Sequence, residues 1–199
     1  MKVGVILGSV RPGRLSSRVG EHVAKALEAR GHTPKIFDPA ENQLPLLEIP
    51  LHFFPPNQEP PAILKRLQQE LNEQDAYIFV TAEYNLNVAP ALLNFVDHFP
   101  YNTWRWKCAS VISYSMGNFG GMIAQQTLRQ TLGMIGLAAL PTSVTLPNVQ
   151  EQIDELGNCN GDRKQSIEKN IEKLLDELEF FSNAVLAKKE TTVVPFNDE

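Results

Sequence analysis

Apolar and polar positions along the chain follow two spacings, one typical of strands and one typical of helices. Lys2–Leu7 is a short run rich in apolar and β-branched residues that ends at Gly8, as a buried parallel strand would. Apolar residues then recur at helical spacing until Gly31, which would end the helix. Strands are predicted at 2–7, 35–37, 76–80, 109–113 and 137–146, and helices at about 19–27, 63–71, 90–96, 128–132 and 167–185. This alternation predicts an α/β fold, an open parallel sheet covered on both faces, in which ligands bind beyond the carboxyl ends of the strands.

The segment 39–61 interrupts this pattern. It holds half of the chain's 14 prolines, including Pro55-Pro56 and Pro60-Pro61, and such a density opposes regular structure. A long surface excursion is therefore predicted, and in compact domains such excursions are often functional. The remaining sequence shows no internal repeat and no linker, so we expect a single domain over residues 1–199.

Composition and charge narrow the classes of function. The net charge of −5 opposes binding to nucleic acid, because proteins that bind it usually carry a basic stripe. No segment has the ~20 apolar residues of a membrane-spanning helix, and the amino terminus lacks the pattern of a secretory leader. Cys108 and Cys159 match neither a redox pair nor a metal site, so we expect a reducing, cytoplasmic setting and no bound metal.

A loop rich in hydroxyl groups and arginine, from Gly8 to Arg18, follows the first predicted strand. It stands directly before a helix, whose amino terminus offers free N–H groups and partial positive charge and so attracts phosphate. Serine hydroxyls and arginine guanidinium groups add hydrogen bonds to phosphate oxygens. The candidate phosphate ligands are Ser9, Arg11, Arg14, Ser16, Ser17 and Arg18. The alternative is a solvated turn in which Ser16 or Ser17 caps the helix.

Two common phosphate-binding motifs do not match this loop. Gly8 and Gly13 have the spacing of the P-loop glycines, but Arg14-Leu15 replaces the Lys-Ser/Thr pair that contacts phosphate and Mg²⁺. Val10 occupies the position of the second glycine in the dinucleotide motif GxGxxG. A phosphate loop of a different kind is therefore expected.

Polar turns also follow the predicted strands at 76–80 and 109–113. The first contains Ala82, Glu83, Tyr84 and Asn85, in which Tyr84 is placed to lie against a flat ring and Asn85 to bond its edge. Glu83 is expected to form hydrogen bonds within the loop rather than to act as an acid. The alternative is a turn stabilised by asparagine side chains, with Tyr84 packed on the surface.

The second of these turns is rich in glycine, which lets backbone approach a ligand closely. Its candidate site residues are Ser115, Met116, Gly117, Gly120 and Gly121. The N–H groups that open the next helix suit the partial negative charge of a ligand carbonyl. The alternative is that Gly120-Gly121 only allows close contact between helix and sheet. Three such turns at one edge of a sheet favour a shared site.

These motifs together resemble the NADPH-dependent FMN reductase family of flavodoxin-like proteins, which includes quinone and azo-dye reductases. The resemblance covers about residues 1–145 and rests on Gly8-Ser9-Val10-Arg11 with Arg14, on Glu83-Tyr84-Asn85 with Pro90 and Asn94-Phe95-Val96-Asp97, and on Ser113-Tyr114-Ser115 with Gly117, Gly120 and Gly121. Three positions depart from the family pattern. Ala82 replaces a usual proline, Asn87 a small residue and Leu93 a lysine.

The resemblance implies a flavodoxin-like, doubly wound sheet of five parallel strands in the order 2-1-3-4-5. It implies FMN, with the phosphate in the first loop and the isoalloxazine ring against residues 82–85 and 115–121. NADPH or NADH would supply two electrons for a small acceptor such as a quinone, a flavin or an azo compound. Relatives are commonly dimers or tetramers, so a homodimer or homotetramer is expected. Because the cofactor carries the chemistry, no catalytic side chain is assigned.

Two other functions stay open from the residues alone. One is a non-catalytic FMN module, either an electron carrier or a redox-sensing partner, although carriers are usually more acidic than this chain. The other is a nucleotide-binding or phosphosugar-binding enzyme without flavin. Phe53-Phe54 and Trp104-Arg105-Trp106 are candidates for covering the flavin or for subunit contact, and packing under a long loop is the alternative.

Overall fold

The computed structural model describes residues 1–195, in which one sheet carries helices on both faces. The strands are β1 (Lys2–Leu7), β2 (Thr33–Phe37), β3 (Ala76–Tyr84), β4 (Asn87–Val88), β5 (Cys108–Tyr114) and β6 (Ala138–Leu146). The helices are α1 (Ser16–Ala29), α2 (Pro39–Asn42), α3 (Ala62–Asn72), α4 (Pro90–Asp97), α5 (Tyr101–Trp104), α6 (Met122–Met134), α7 (Val149–Gln152) and α8 (Lys164–Thr191). Every strand and helix predicted from the sequence is present, and most of them are longer than predicted.

Five strands lie parallel in the order β2-β1-β3-β5-β6. This is the predicted flavodoxin-like order, and the strand numbers differ only because the two-residue β4 pairs antiparallel with the end of β3. The register is continuous across the centre, where Val5 lies beside Ile78 and Ile78 beside Ser110. Because the five strands are parallel, their carboxyl ends all reach one edge of the sheet.

Alternate side chains of the strands point to opposite faces of the sheet and contribute to two hydrophobic cores. On one face Ile78 and Val80 pack with residues of α1 and α8, and on the other Tyr77 and Phe79 pack with residues of α3, α4 and α6. Residues buried on both faces explain why β3 and β5 read as nearly continuous apolar runs. Within residues 1–195, no helix is both long enough and apolar enough to cross a membrane.

The proline-rich segment 39–61 is mostly irregular, as predicted, but it does contain α2 and a single 3-10 turn at Leu51–Phe53. Proline is tolerated in the first turn of a helix, and Pro39 takes that position in α2. Asn94 of α4 ties the segment to the helix layer. Its Oδ1 accepts from the Leu47 N–H, and its Nδ2 donates to the Pro45 carbonyl, both at 2.8 Å.

The tryptophan cluster lies far from the carboxyl edge. Trp104 is fully buried and packs against Tyr77, Phe79 and Phe99. Trp106 lies two residues before the start of β5 and therefore near the amino edge of the sheet. A covering role over the carboxyl edge is thus wrong for both residues, and for Trp104 core packing explains the position.

Candidate cofactor site

The three polar turns meet around one cavity of about 350 Å³ at the carboxyl edge of the sheet. Its wall is formed by residues from each of the three turns: Ser9, Arg11, Pro12, Gly13, Arg14, Leu15, Ala82, Glu83, Tyr84, Tyr114, Ser115 and Met116. The volume lies within the usual range for small-molecule sites. The parallel sheet therefore brings together residues 9–15, 82–84 and 114–116, which are well separated in the sequence.

The amino terminus of α1 is open toward ligands. Its N-cap residue Leu15 offers no side-chain hydrogen bond, and the first turn contains no acidic residue. The N–H groups of Ser17 and Arg18 donate to no acceptor within residues 1–195, whereas the Ser16 N–H interacts with the Tyr114 hydroxyl. The first α1 amide with a main-chain partner is that of Val19. Such a helix end attracts an anion, because both the free donors and the helix dipole favour negative charge.

Four hydroxyl groups cluster beside this helix end. The Ser9 Oγ lies 2.5 Å from the Tyr84 hydroxyl, and the buried Ser16 Oγ lies 3.5 Å from the Ser9 carbonyl oxygen. Tyr114, also in the wall, is almost fully buried, and burial raises the pKa of its hydroxyl to about 12. Its hydroxyl therefore stays protonated at neutral pH and can donate a hydrogen bond to a ligand.

The three arginines of the first loop have different surroundings. Arg11 lies over the Tyr84 ring, 3.6 Å from the centroid, with no carboxylate partner in the described part of the chain. Arg14 donates to the buried carboxylate of Asp38, at the end of β2. Arg18 lies outside the cavity wall, where its guanidinium is 3.4 Å from both the Ile153 carbonyl oxygen and the Glu155 carboxylate. Arg11 is therefore the arginine whose charge is left for a ligand.

The turn after β3 is a tight hairpin. Tyr84 pairs with Asn87 across it, and Asn85 and Leu86 at its tip have φ of 53° and 59°. Positive φ at both central residues is the mark of a two-residue type I′ turn, for which Asn-Gly is the preferred sequence. Ala82, Glu83 and Tyr84 line the cavity, whereas Asn85 lies at the tip and does not.

The turn after β5 contains some residues that line the cavity and others that pack against the sheet. Ser115 and Met116 line the cavity, and the N–H groups of residues 116–119 have no acceptor in the part of the chain that the structure describes. Gly120 and Gly121 have φ of 64° and 77°, and a Cβ on either would lie 3.0 Å from neighbouring backbone atoms. These two glycines allow the close contact between helix and sheet that the sequence left as an alternative.

Glu83 forms hydrogen bonds between turns. Its Oε2 accepts from the N–H groups of Ile123, at 2.9 Å, and Ala124, at 3.0 Å. Glu83 thus forms hydrogen bonds, as expected, but its partners belong to the start of α6 and not to its own loop. The same bonds correct the expectation that the amides opening this helix are free for a ligand, because Glu83 already holds two of them.

Two residues of the site region escaped the sequence reasoning. Tyr114 stands inside the quoted run Ser113-Tyr114-Ser115, but its hydroxyl was not considered. Asp38 follows β2, whereas candidate residues were sought only after the first, third and fourth predicted strands. Applying it to every strand would have found Asp38.

Comparisons with known proteins agree on one kind of protein. The model of the family described as NADPH-dependent FMN reductase matches residues 1–151. The chain is 28% identical over 189 residues to the NAD(P)H-dependent FMN reductase LOT6 of Saccharomyces cerevisiae, which covers 86% of this chain and 97% of that protein. It is 32% identical over 146 residues to a quinone reductase of Pseudomonas putida, covering 69% and 73% of the two.

A solved structure extends the likeness to the fold. The flavoenzyme FerB, an NAD(P)H:(acceptor) oxidoreductase from Paracoccus denitrificans, matches with a TM-score of 0.73 and 24% identity. The match covers 90% of this chain and 98% of that one. At this identity the likeness supports a shared architecture.

Proposed function

Because this chain belongs to the NADPH-dependent FMN reductase family, and is thus an FMN-dependent oxidoreductase with a reduced nicotinamide as donor, we propose that the cavity at the carboxyl edge binds its FMN. The observation that carries the proposal is the open amino terminus of α1. The N–H groups of Ser17 and Arg18, which have no acceptor within residues 1–195, lie there beside serine hydroxyls and beside Arg11, which has no carboxylate partner in the same residues. This donor set suits a phosphate dianion.

The phosphate ligands in this proposal are fewer than the sequence suggested. Ser9, Arg11, Ser16 and Ser17 bind the phosphate together with the first amides of α1. Arg14 contributes less, because its charge is balanced by Asp38. Arg18 is not included, because its guanidinium bonds to residues outside the cavity.

The ring is proposed to lie between the other two turns. Ala82, Glu83 and Tyr84 line one side, and Ser115 and Met116 the other. The amides of residues 116–119, which have no acceptor within residues 1–195, are available to the polar edge of the ring, and Gly117 is proposed to lie beside that edge. Gly120 and Gly121 shape this turn from beneath. Arg11 lies on the Tyr84 ring, so we expect its guanidinium to leave that face when the cofactor binds.

The chemistry belongs to the cofactor. When bound, FMN supplies a ring that accepts a hydride from the reduced nicotinamide and passes two electrons to an acceptor. The residues of the chain hold the phosphate, orient the ring and keep water from one face of it. We propose a planar aromatic acceptor, such as a quinone, a flavin or an azo compound, because Met116 gives the mouth of the cavity an apolar wall.

We also propose that the chain forms a homodimer or homotetramer. Several large apolar side chains around the carboxyl edge are exposed, with Phe119 at 80% and Leu86 at 65%. The patch consists of Leu86, Met116, Phe119, Met122 and Ile123. An apolar patch of this kind beside a cavity suits contact with a second copy.

One functional domain over residues 1–199 and a reducing, cytoplasmic setting stay part of the proposal, the latter because both cysteines are free.

A spectroscopic titration tests the proposed function. The protein is purified, loaded with FMN and freed of excess cofactor, and its visible spectrum is recorded before and after NADPH is added without oxygen. We expect the flavin bands to bleach with NADPH and to return when a quinone such as menadione is added. Flavin that stays oxidised with NADPH would contradict the enzyme. Bleaching without reoxidation by any quinone, flavin or azo compound would contradict the acceptor class.

A further inference from the structure

Glu83 connects two of the three turns that surround the cavity. It is the next-to-last residue of β3 and one of the residues that line the cavity, and its carboxylate lies at the start of α6. Its Oε2 accepts hydrogen bonds from the Ile123 and Ala124 amides at 2.9 and 3.0 Å, across 40 and 41 residues of sequence. One carboxylate oxygen thus holds the β3 turn against the start of α6.

The helix has no cap of its own. Its N-cap residue is Gly121, which has no side chain, and its first turn contains no acidic residue. A carboxylate at a helix amino terminus is stabilised by the free amides and by the helix dipole. Glu83 therefore supplies from β3 the acceptor that the sequence of α6 lacks.

The carboxylate also determines where the β5–α6 turn lies. At its start the turn is fixed to the end of β6, through the Ser115 N–H to the Leu146 carbonyl at 3.2 Å. The Gly117 carbonyl accepts from the Asn148 N–H at 3.0 Å. At its other end the turn is fixed by Glu83. Between these anchors lie residues 116–119, whose amides have no acceptor in the described chain.

Glu83 has an electrostatic consequence as well. It places a formal negative charge at the start of α6, next to a cavity whose other charged lining residues are Arg11 and Arg14. Two-electron reduction adds negative charge to a flavin ring. A fixed carboxylate nearby opposes that change and weakens binding of the reduced ring more than of the oxidised ring.

We propose that Glu83 is a positioning residue that sets the β5–α6 turn against the FMN ring and lowers the reduction potential of the bound cofactor. The inference rests on the proposed FMN site in this cavity. It assigns two separable roles to one side chain. The hydrogen-bond acceptor fixes geometry, and the charge adjusts the potential.

Two substitutions separate these roles. Glu83→Gln keeps an oxygen that can accept from α6 but removes the charge, whereas Glu83→Ala removes both. We expect Glu83→Gln to bind oxidised FMN within threefold of the wild type and to favour the reduced cofactor about tenfold more. For a two-electron couple that ratio corresponds to a potential about 30 mV higher. We expect Glu83→Ala to lose at least tenfold in affinity for oxidised FMN.

The measurements are fluorescence titration of the apoprotein with FMN and potentiometric titration of the loaded protein with redox dyes. Glu168→Gln is the matched control, because it removes one negative charge from α8 away from the cavity and should leave both quantities unchanged. An unchanged potential in Glu83→Gln would overturn the charge role, even if Glu83→Ala failed to fold. Unchanged FMN affinity in a folded Glu83→Ala would overturn the positioning role.

Failure of this inference is distinguishable from failure of the FMN site. If the cavity does not bind FMN, substitution of Arg11 leaves FMN affinity unchanged as well. If the cavity does bind FMN but Glu83 has neither role, Arg11→Ala weakens binding while both Glu83 variants behave like the wild type.

Discussion

Among the helices that begin at the carboxyl edge of the sheet, α1 and α6 have amino termini in opposite states. At α1 the amides of Ser17 and Arg18 have no acceptor within residues 1–195, and the first turn contains no acidic residue. At α6 the amides of Ile123 and Ala124 are held by Glu83. Both helices follow a glycine-containing turn, so the sequence pattern alone makes them look equivalent.

The difference indicates which helix end binds an anionic ligand. A helix end that already holds a carboxylate has little attraction left for a second anion, and the carboxylate repels it. An open end attracts one. The comparison therefore supports the proposed phosphate site at α1, and the proposed contact of the α6 turn with the uncharged edge of the ring. The predictions below alter one end while the other serves as its reference.

The largest effect is expected when the open end is made to resemble the closed one. Ser17→Asp places a carboxylate in the first turn of α1, where it caps the free amides. We expect the apoprotein to become more stable, by about 0.3–1 kcal/mol. FMN affinity should fall about a hundredfold, because repulsion between charges about 4 Å apart costs up to about 4 kcal/mol near a protein surface.

Thermal denaturation of the apoprotein and FMN titration measure the two effects. Ser17→Asn is the control, since it has nearly the same shape without the charge. Riboflavin, which lacks the phosphate, should bind both variants almost equally. If Ser17→Asp lost affinity for riboflavin as strongly as for FMN, the phosphate would not lie at this helix end.

The next effect in size concerns Arg11, the first-loop arginine that has no carboxylate partner in the described chain. Arg11→Ala removes a charge-assisted hydrogen bond to phosphate, which contributes about 1.5–3 kcal/mol. FMN affinity should therefore fall about ten- to a hundredfold. Arg18→Ala is the matched control, because Arg18 bonds to Ile153 and Glu155 outside the cavity, and we expect less than a twofold change. Equal losses in the two variants, measured by titration of the apoprotein, would mean that only general positive charge matters.

A smaller effect separates the glycines of the α6 turn. Gly120→Ala puts a Cβ 3.0 Å from the Leu146 and Pro147 nitrogens at a φ of 64°. The left-handed conformation alone costs a non-glycine residue about 1–2 kcal/mol, which would lower the melting temperature by about 2–8 °C. Gly117→Ala meets no atom within 4 Å and should melt like the wild type.

Gly117 offers a second test of the same turn. Gly117→Val should leave the apoprotein folded yet weaken FMN binding, because the larger side chain enters the space proposed for the ring edge. A Gly117→Val protein that purifies with its full complement of flavin would refute that placement. Apoprotein melting temperatures and the ratio of flavin to protein absorbance distinguish the two glycines.

The sequence predicted the fold closely because most of its signals are local. Ala76-Tyr77-Ile78-Phe79-Val80 reads as a buried strand, and β3 proves to be buried on both faces. The short β4 was missed because two residues carry no periodic pattern. The role of Trp104 was left open between covering, subunit contact and packing, because an aromatic side chain beside arginine occurs both in cores and on interfaces, and only the tertiary structure distinguishes them.

The site was less predictable because its features depend on pairing between distant residues. The first loop contains three arginines with similar local sequence surroundings, and their roles differ because Asp38 and Glu155 lie beside two of them. The cap on α6 comes from a residue about 40 positions earlier. Single-sequence reasoning places residues at an edge of a sheet but does not select which of their partners they meet.

The smallest effect is expected at the tip of the β3–β4 hairpin, which follows Glu83, the residue that caps α6. Leu86 has a φ of 59° and is 65% exposed, at a position of a type I′ turn that glycine prefers. Leu86→Gly relieves about 1–2 kcal/mol of backbone strain. Greater freedom of the unfolded chain offsets about 0.4–1 kcal/mol of this gain. A net gain of about 0.5–1 kcal/mol at unchanged FMN affinity is expected, since Leu86 does not line the cavity. Removing the apolar side chain should at the same time weaken self-association, measured by sedimentation at several protein concentrations. Unchanged self-association in a stabilised variant would place the subunit contact away from this hairpin.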